Sequence, residues 1–307
     1  MNTKRTYSTH HRTFRRICSS IGVDSDLPLT ERQLCAIVII YAHTHRITTV
    51  PVFTSALQNY AVSLSHPNLP RHRLYDRVRA GLNNMYGHQN FSQPREGITI
   101  NELCDFRSKL KLSLFADARD WCACLFAFYG LLRINEYCGG SLCVKHVTLH
   151  TWGISLIVPF SKTSLIPAMV DIIRRDDQLC PVAACNGYTA LVNARYRAAD
   201  HPFFLASASS TSPMLDSQFI ARIRTLVRVA LRRDPQQFAG HSFRRGGTTA
   251  LLQAGVPEAT IATHGRWKSL AYRSYIDVQH NLRMRLAATA QLSLHSRLAP
   301  LPGLVTV

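Results

Sequence analysis

The sequence predicts a mainly α-helical chain with one small antiparallel β-sheet, an α+β fold in two domains. Three observations lead there. Apolar residues recur at helical spacing along most of the chain. Only residues 145–173, "KHVTLHTWGISLIVPFSKTSLIPAMVDII", combine β-branched residues with alternation. A polar stretch with Pro and Gly, "NFSQPREG", separates a short helical module from a longer remainder. At 307 residues and 46% hydrophobic content, the chain can bury more than one core.

Residues 1–28 begin "MNTKRTYSTHHRTFRRICSS", basic and polar without an apolar signal-peptide core. They are expected to be a disordered arm. Residues 29–88 form the helical module. Its first helix opens at Thr30 with Gln33 three later, a capping-box spacing, and continues through Leu34, Ile37, Val38 and Tyr41. A second helix covers "TVPVFTSALQNYAVSLS", with Pro51 in its first turn. "HPNLP" breaks the chain, and "RHRLYDRVRAGLNNMYG" is a third helix ending at Gly87. Residues 89–98 are the expected linker, and residues 99–280 the second domain.

In that domain, "FADARDWCACLFAFYGLLR" is apolar nearly all round, the mark of a buried central helix. Two or three short strands follow, with Lys162 in a turn between two of them. "PVAACNGYTALVNARYRAA" returns to helix, "LASASSTSPMLD" is a low-complexity loop, and "SQFIARIRTLVRVALRR" is an amphipathic basic helix. Residues 242–254 and 256–263 are two further helices split by "GVP", and residues 281–307 are a tail with a last helix.

Charge narrows the function. Lys and Arg number 36 against 18 Asp and Glu, a formal net charge of +18. Such an excess points to a polyanionic partner, where each neutralised phosphate releases counterions. Arginine suits phosphate because its planar fork donates two parallel hydrogen bonds. Nine cysteines show neither zinc-knuckle nor CxxC spacing, so a reduced, intracellular chain without a metal is expected. No apolar run reaches about eighteen residues, so no membrane span is expected.

No Walker loop, HExxH, GxSxG or paired-carboxylate motif is present. Acidic residues are scarce where basic ones cluster, which disfavours two-metal nuclease chemistry. Phosphoryl transfer without a metal needs two arginine clamps, a histidine, an acid for the leaving oxygen and a protein nucleophile. The chain offers such a set. "FYGLLRINEY" puts Arg133 at the end of the buried helix, with Glu136 three later to hold it. "PFSKTS" puts Lys162 where a mobile side chain reaches over a substrate. "HSFRR" places His241 and Arg244 three apart on one helix face. "GRWKSLAYRSY" supplies Trp267 and Tyr275.

This order, Arg, Lys, His-x-x-Arg, Trp and Tyr, resembles the tyrosine recombinases, also called the phage integrase family. "GLLRINEY", "VPFSKTS" and "HSFRRGGTTALLQAGVPEATIATHGRW…YI" are similar to its successive boxes, most of all in the DIRS-like and Crypton mobile-element branch. The resemblance covers about residues 29–280. It implies that residues 29–88 are a core-binding, DNA-binding domain and residues 99–280 the catalytic domain. It implies further that Tyr275 attacks DNA to give a 3′-phosphotyrosyl link. Arg133 and Arg244 then stabilise the phosphoryl charge, and His241 donates to the phosphate or takes the tyrosine proton. Lys162 protonates the 5′ leaving oxygen, and Trp267 packs the site.

Tyr272, one turn away, is the rival nucleophile; Tyr275 is preferred because Ile276 follows it. His264 departs from the pattern and is either a partly exposed histidine or a second phosphate donor. Arg245 is expected on the DNA backbone or in a structural role rather than in the clamp. Arg71, Arg73 and the basic helix around Arg222 are further expected DNA contacts, although that helix also reads as a solvated face. The implied partner is double-stranded DNA, bound as a homotetramer on two duplexes, without a cofactor, inside the cell and in the nucleus if the host is eukaryotic. The alternatives are a catalytically silent DNA-binding descendant and a type IB topoisomerase.

Overall fold

The computed structural model describes residues 2–26, 28–66, 68–87, 95–159, 166–267 and 269–275. The chain divides into two compact units, residues 1–93 and 94–307.

The first unit holds α1 (Asn2–Ser20), α2 (Glu31–Thr44), α3 (Val50–Ser63) and α4 (Arg73–Tyr86). The expected disordered arm is corrected here. Its residues form α1, which packs on α3 and α2 through Phe14, Ile17 and Cys18. The i, i+3, i+4 spacing of these three residues supplies a narrow apolar stripe on a basic helix. Thr30 and Gln33 make the expected capping box on α2. Tyr41 stacks between His45 and Phe53, with ring centroids 4.2 and 3.9 Å away. Glu31 accepts from the backbone N–H groups of His72 and Tyr75, tying α2 to the start of α4.

The second unit comprises α5 (Ile100–Lys109), α6 (Phe115–Tyr129), α7 (Ile134–Tyr137), β1 (Val147–Leu149), β2 (Gly153–Val158) and β3 (Ala168–Ile173). It continues with α8 (Pro181–Ala190), α9 (Asp216–Leu226), α10 (Ser242–Gln253) and α11 (Glu258–His264). The strands form an antiparallel sheet in the order β1-β2-β3, with Ile154 opposite Ile172 and Leu156 opposite Val170. These four residues are buried, whereas Ser155, Ile157, Met169, Asp171 and Ile173 alternate with them and are not.

Helix α6 is the centre of the core, and its burial extends to charged residues. Arg119 donates to Asp120 and to the carbonyls of Leu205 and Ala206. The expected linker, residues 89–98, is also corrected in part. Glu96 and Ile98 donate from their backbone to Gln237 and Ser242, and Ile98 lies in the core of the second unit. Helix α8 stops at Ala190, short of its expected length, because the Asn193 side chain accepts from Arg195 N–H and starts a separate turn. The basic helix likewise changes character. After α9 the chain widens to a π-helical turn at Val227–Leu231, closed by Arg232 in the left-handed region.

Candidate active site

The site is assembled at the C-terminal ends of α6 and α11 and the N-terminal end of α10. Helix α10 reaches this position because of the glycine pair in "RRGG". A Cβ on Gly246 would lie 1.7 Å from the Ile98 carbonyl oxygen, and one on Gly247 would lie 2.3 Å from that of Phe128. Only glycine lets α10 lie so close to the last turn of α6 and to residue 98.

Helix α11 ends in a Schellman turn: Trp267 N–H donates to Ala262 and Arg266 N–H to Thr263. The turn is unusual in where it puts its glycine. Arg266, not Gly265, adopts the left-handed conformation, with φ 59°. This costs a non-glycine residue about 1–2 kcal/mol. Gly265 is required for a different reason, because a Cβ there would sit 1.6 Å from the Trp267 ring. Helix α6 ends similarly, with Leu131 left-handed at φ 45° and Leu132 N–H donating to Ala127.

Both turns leave helix-end carbonyls that carry partial negative charge, and guanidinium groups occupy them. Arg244 is fully buried. Its Nη1 donates to the Leu131 carbonyl and its Nη2 to that of Gly265, the latter at 2.6 Å. The Trp267 ring covers it, with the guanidinium carbon 3.9 Å from the ring centroid, and the Tyr275 ring lies 5.4 Å away. Arg244 has no carboxylate partner among the described residues, and its buried Nε has no hydrogen-bond acceptor there. Burial, reinforced by Arg133 and Arg266, lowers its pKa to about 9. It is therefore still a cation at neutral pH.

Arg133 stands just before the first residue of α7 and is gripped by Glu136. Its Nη1 donates to Oε1 and its backbone N–H to Oε2, both at 2.8 Å. Glu136 is 1% exposed and also accepts from Arg266 Nη2 at 2.7 Å. Arg266 Nη1 reaches the Gly130 carbonyl at 3.2 Å and its Nη2 the Leu131 carbonyl at 3.3 Å. Counting one charge each, three arginines face one glutamate, a surplus of two positive charges in a water-poor setting.

His241 stands at the start of α10, its ring 6.0 Å from that of Tyr275. Desolvation lowers its pKa below 6.5, and Arg244 and Arg133 push it the same way. The imidazole is therefore neutral at pH 7 and can accept a proton. The Tyr275 ring lies 5.4 Å from that of Trp267. Tyr272 is differently placed: it is buried, and its hydroxyl donates to Glu258, which Arg273 also holds at 3.1 Å.

The structure thus brings together Arg133, Glu136, His241, Arg244, Trp267 and Tyr275. Lys162 lies outside the described residues. His264 is not aimed at this centre, because its Nε2 lies 2.7 Å from the Tyr129 carbonyl oxygen as a tie between α11 and α6. Arg222 is corrected too. It pairs with Asp117 and Asp120, so it holds α9 to α6 instead of standing free on a basic face. Arg245 is half-buried, its stem against Gly97, and its side chain makes no hydrogen bond or ion pair among the described residues. In the first unit, Arg71 is exposed but donates to the Thr54 carbonyl at 2.8 Å, and Arg73 is exposed. Sequence reasoning missed Arg266. Its only signal was an arginine directly after a helix-ending glycine.

No protein-family model matches the chain, and no curated protein does. Solved structures match over nearly its full length. The XerH site-specific recombinase bound to palindromic difH substrate in a post-cleavage complex is 17% identical, with a TM-score of 0.66, over 94% of this chain and 79% of that one. The Tn1549 transposon integrase in complex with circular intermediate DNA is 13% identical, with a TM-score of 0.56, over 94% and 98%. XerA recombinase is 15% identical, with a TM-score of 0.50, over 92% and 91%. The helical body and its small three-stranded antiparallel sheet are therefore the tyrosine-recombinase fold.

Proposed function

We propose that this chain is a tyrosine recombinase, a DNA strand transferase that cuts and rejoins duplex DNA through a 3′-phosphotyrosyl intermediate. The observation that carries this reading is the placement of Tyr275 beside Arg244, Trp267 and His241, at a cluster with surplus positive charge. The fold shared with DNA-bound recombinases supports it.

The Tyr275 oxygen attacks phosphorus as neutral His241 takes its proton. The bond from phosphorus to the 5′ oxygen breaks, and Lys162 protonates that oxygen. The products are a 3′-phosphotyrosine and a free 5′-hydroxyl. Attack by a 5′-hydroxyl from a second strand reverses the step and releases Tyr275. The phosphodiester bond energy stays in the link, so rejoining needs no external energy source. Arg133 and Arg244 stabilise the charge on the five-coordinate state. Arg244 has no exposed surface beneath Trp267 and Tyr275, so the Leu270–Tyr275 turn must shift for a phosphate to reach it.

Arg245, Arg71 and Arg73 bind the DNA backbone in this reading. Four copies act on two duplexes, and the chain serves a mobile element of the DIRS-like or Crypton kind. The test is incubation with a pool of nicked duplexes of randomised sequence, followed by a denaturing gel. Wild type is expected to give a protein–DNA adduct, and Tyr275→Phe none. An adduct that survives Tyr275→Phe, or no adduct from either protein, overturns the reading.

A further inference from the structure

We propose that Arg266 is a positioning residue of this site, which binds Glu136 and the C-terminal carbonyls of α6 so that both Arg133 and Arg244 keep an uncancelled positive charge for the phosphate. The inference rests on the strand-transfer reading above.

Glu136 has two carboxylate oxygens and two arginines. Oε1 accepts from Arg133 Nη1; Oε2 accepts from the Arg133 backbone and from Arg266 Nη2. Without Arg266, Arg133 and Glu136 would form a neutral pair whose fields largely cancel at a neighbouring phosphate. Arg266 takes up that negative charge, so the three groups sum to +1, and Arg244 raises the sum to +2.

The reaction needs this second charge. A phosphodiester carries one negative charge. After attack by a deprotonated tyrosine oxygen, the five-coordinate phosphorus carries two. A +2 site therefore favours the transition state over the bound substrate, which is the condition for raising the chemical rate.

Two further observations are independent of the charge count. Arg266 Nη2 and Arg244 Nη1 share the Leu131 carbonyl, so Arg266 also borders the support of the second clamp. Its backbone is left-handed, at the position of a Schellman turn where glycine is most at ease. A long cationic side chain held there against backbone preference points to a use for the side chain.

The experiment compares wild type, Arg266→Gln and Arg266→Lys on the randomised nicked-duplex pool. Single-turnover adduct rate at saturating protein and DNA affinity by anisotropy are both measured. Arg266→Gln is expected to slow the adduct step by roughly 10²-fold while affinity changes little, because the lost charge acts in the transition state. Arg266→Lys restores the charge but not the planar fork, and is expected to recover about tenfold. A Gln variant that reacts like wild type overturns the proposal. So does a loss that merely follows the unfolded fraction seen by circular dichroism.

A second arm separates this proposal from the reading beneath it. Sodium sulfate, compared with sodium chloride at equal ionic strength, is expected to raise the Tm of wild type more than that of Arg266→Gln. If wild type forms no adduct but the sulfate difference persists, the enzyme reading fails and the charge role of Arg266 stands. Equal sulfate shifts in the two proteins overturn the charge role.

Discussion

The two ends of α6 carry two charge clusters of opposite design, each built around a buried carboxylate. At its N-terminal end, Asp117 and Asp120 face Arg119 and Arg222, two charges against two. At its C-terminal end, Glu136 alone faces Arg133 and Arg266, and Arg244 is held by carbonyls rather than by a carboxylate. A balanced buried cluster is complete in the folded chain. A cluster with two spare positive charges is left unbalanced in the folded chain. Desolvation is tolerated in both, but only the second keeps electrostatic attraction in reserve for a ligand.

The contrast can be broken from the balanced side first. Asp120→Ala leaves Arg119, 8% exposed, without its carboxylate. Losing one partner of a buried pair costs about 3–5 kcal/mol. Urea denaturation is expected to show that loss, with the adduct rate per folded molecule unchanged. An unchanged denaturation midpoint would mean that the cluster is as dispensable as a surface pair.

Arg244→Gln is the opposite case. It should lower adduct formation by roughly 10²–10³-fold, the cost of one preorganised donor. The urea midpoint should move far less than for Asp120→Ala, because a buried cation without a counter-charge contributes little net stability. If Arg244→Gln instead unfolds the chain while its folded fraction still reacts, the two clusters are alike and the comparison fails.

The smallest expected effect is the pH response of His241. Its pKa in the folded chain is lowered below 6.5, by desolvation first and then by Arg244 and Arg133. Above pH 6.5 both folded and unfolded chains hold it neutral, and its contribution to stability is full. As the pH falls below 6.5, the unfolded chain takes up the proton first, so stability declines toward the folded pKa. Adduct formation should stay level down to pH 6.5 and fall below it, as the proton acceptor is lost. The Tm of His241→Gln should decline less steeply over the same acid range than that of wild type.

Local signals carried much of the fold. Thr30 and Gln33 marked a helix start that depends only on neighbouring backbone, and the structure has it. The alternation at 153–158 and 168–173 marked strands whose two faces meet different surroundings. Helix α1 was obscured because its stripe, Phe14, Ile17 and Cys18, is narrow within a basic segment. Only its neighbours, α2 and α3, make that stripe worth burying. Arg222 failed for the reverse reason. Its basic helix face was legible, but the carboxylates of "DARD" that claim it lie about a hundred positions away.

The sequence by itself determined the chemical inventory: arginines, a histidine and a tyrosine in a fixed order, with a glycine pair directly after two of the arginines. Motif order and short-range spacing carry that information because they are local properties of the chain. Tertiary structure alone decided which of these groups act on one another. Tyr272 became an anchor to Glu258, whereas Tyr275 came to lie beside Arg244 and His241. Arg266 joined the site because the Leu131 carbonyl and Glu136, about 130 residues earlier, meet it at the turn after α11. Burial and charge balance are sums over neighbours in space, and spacing along the chain does not contain those sums.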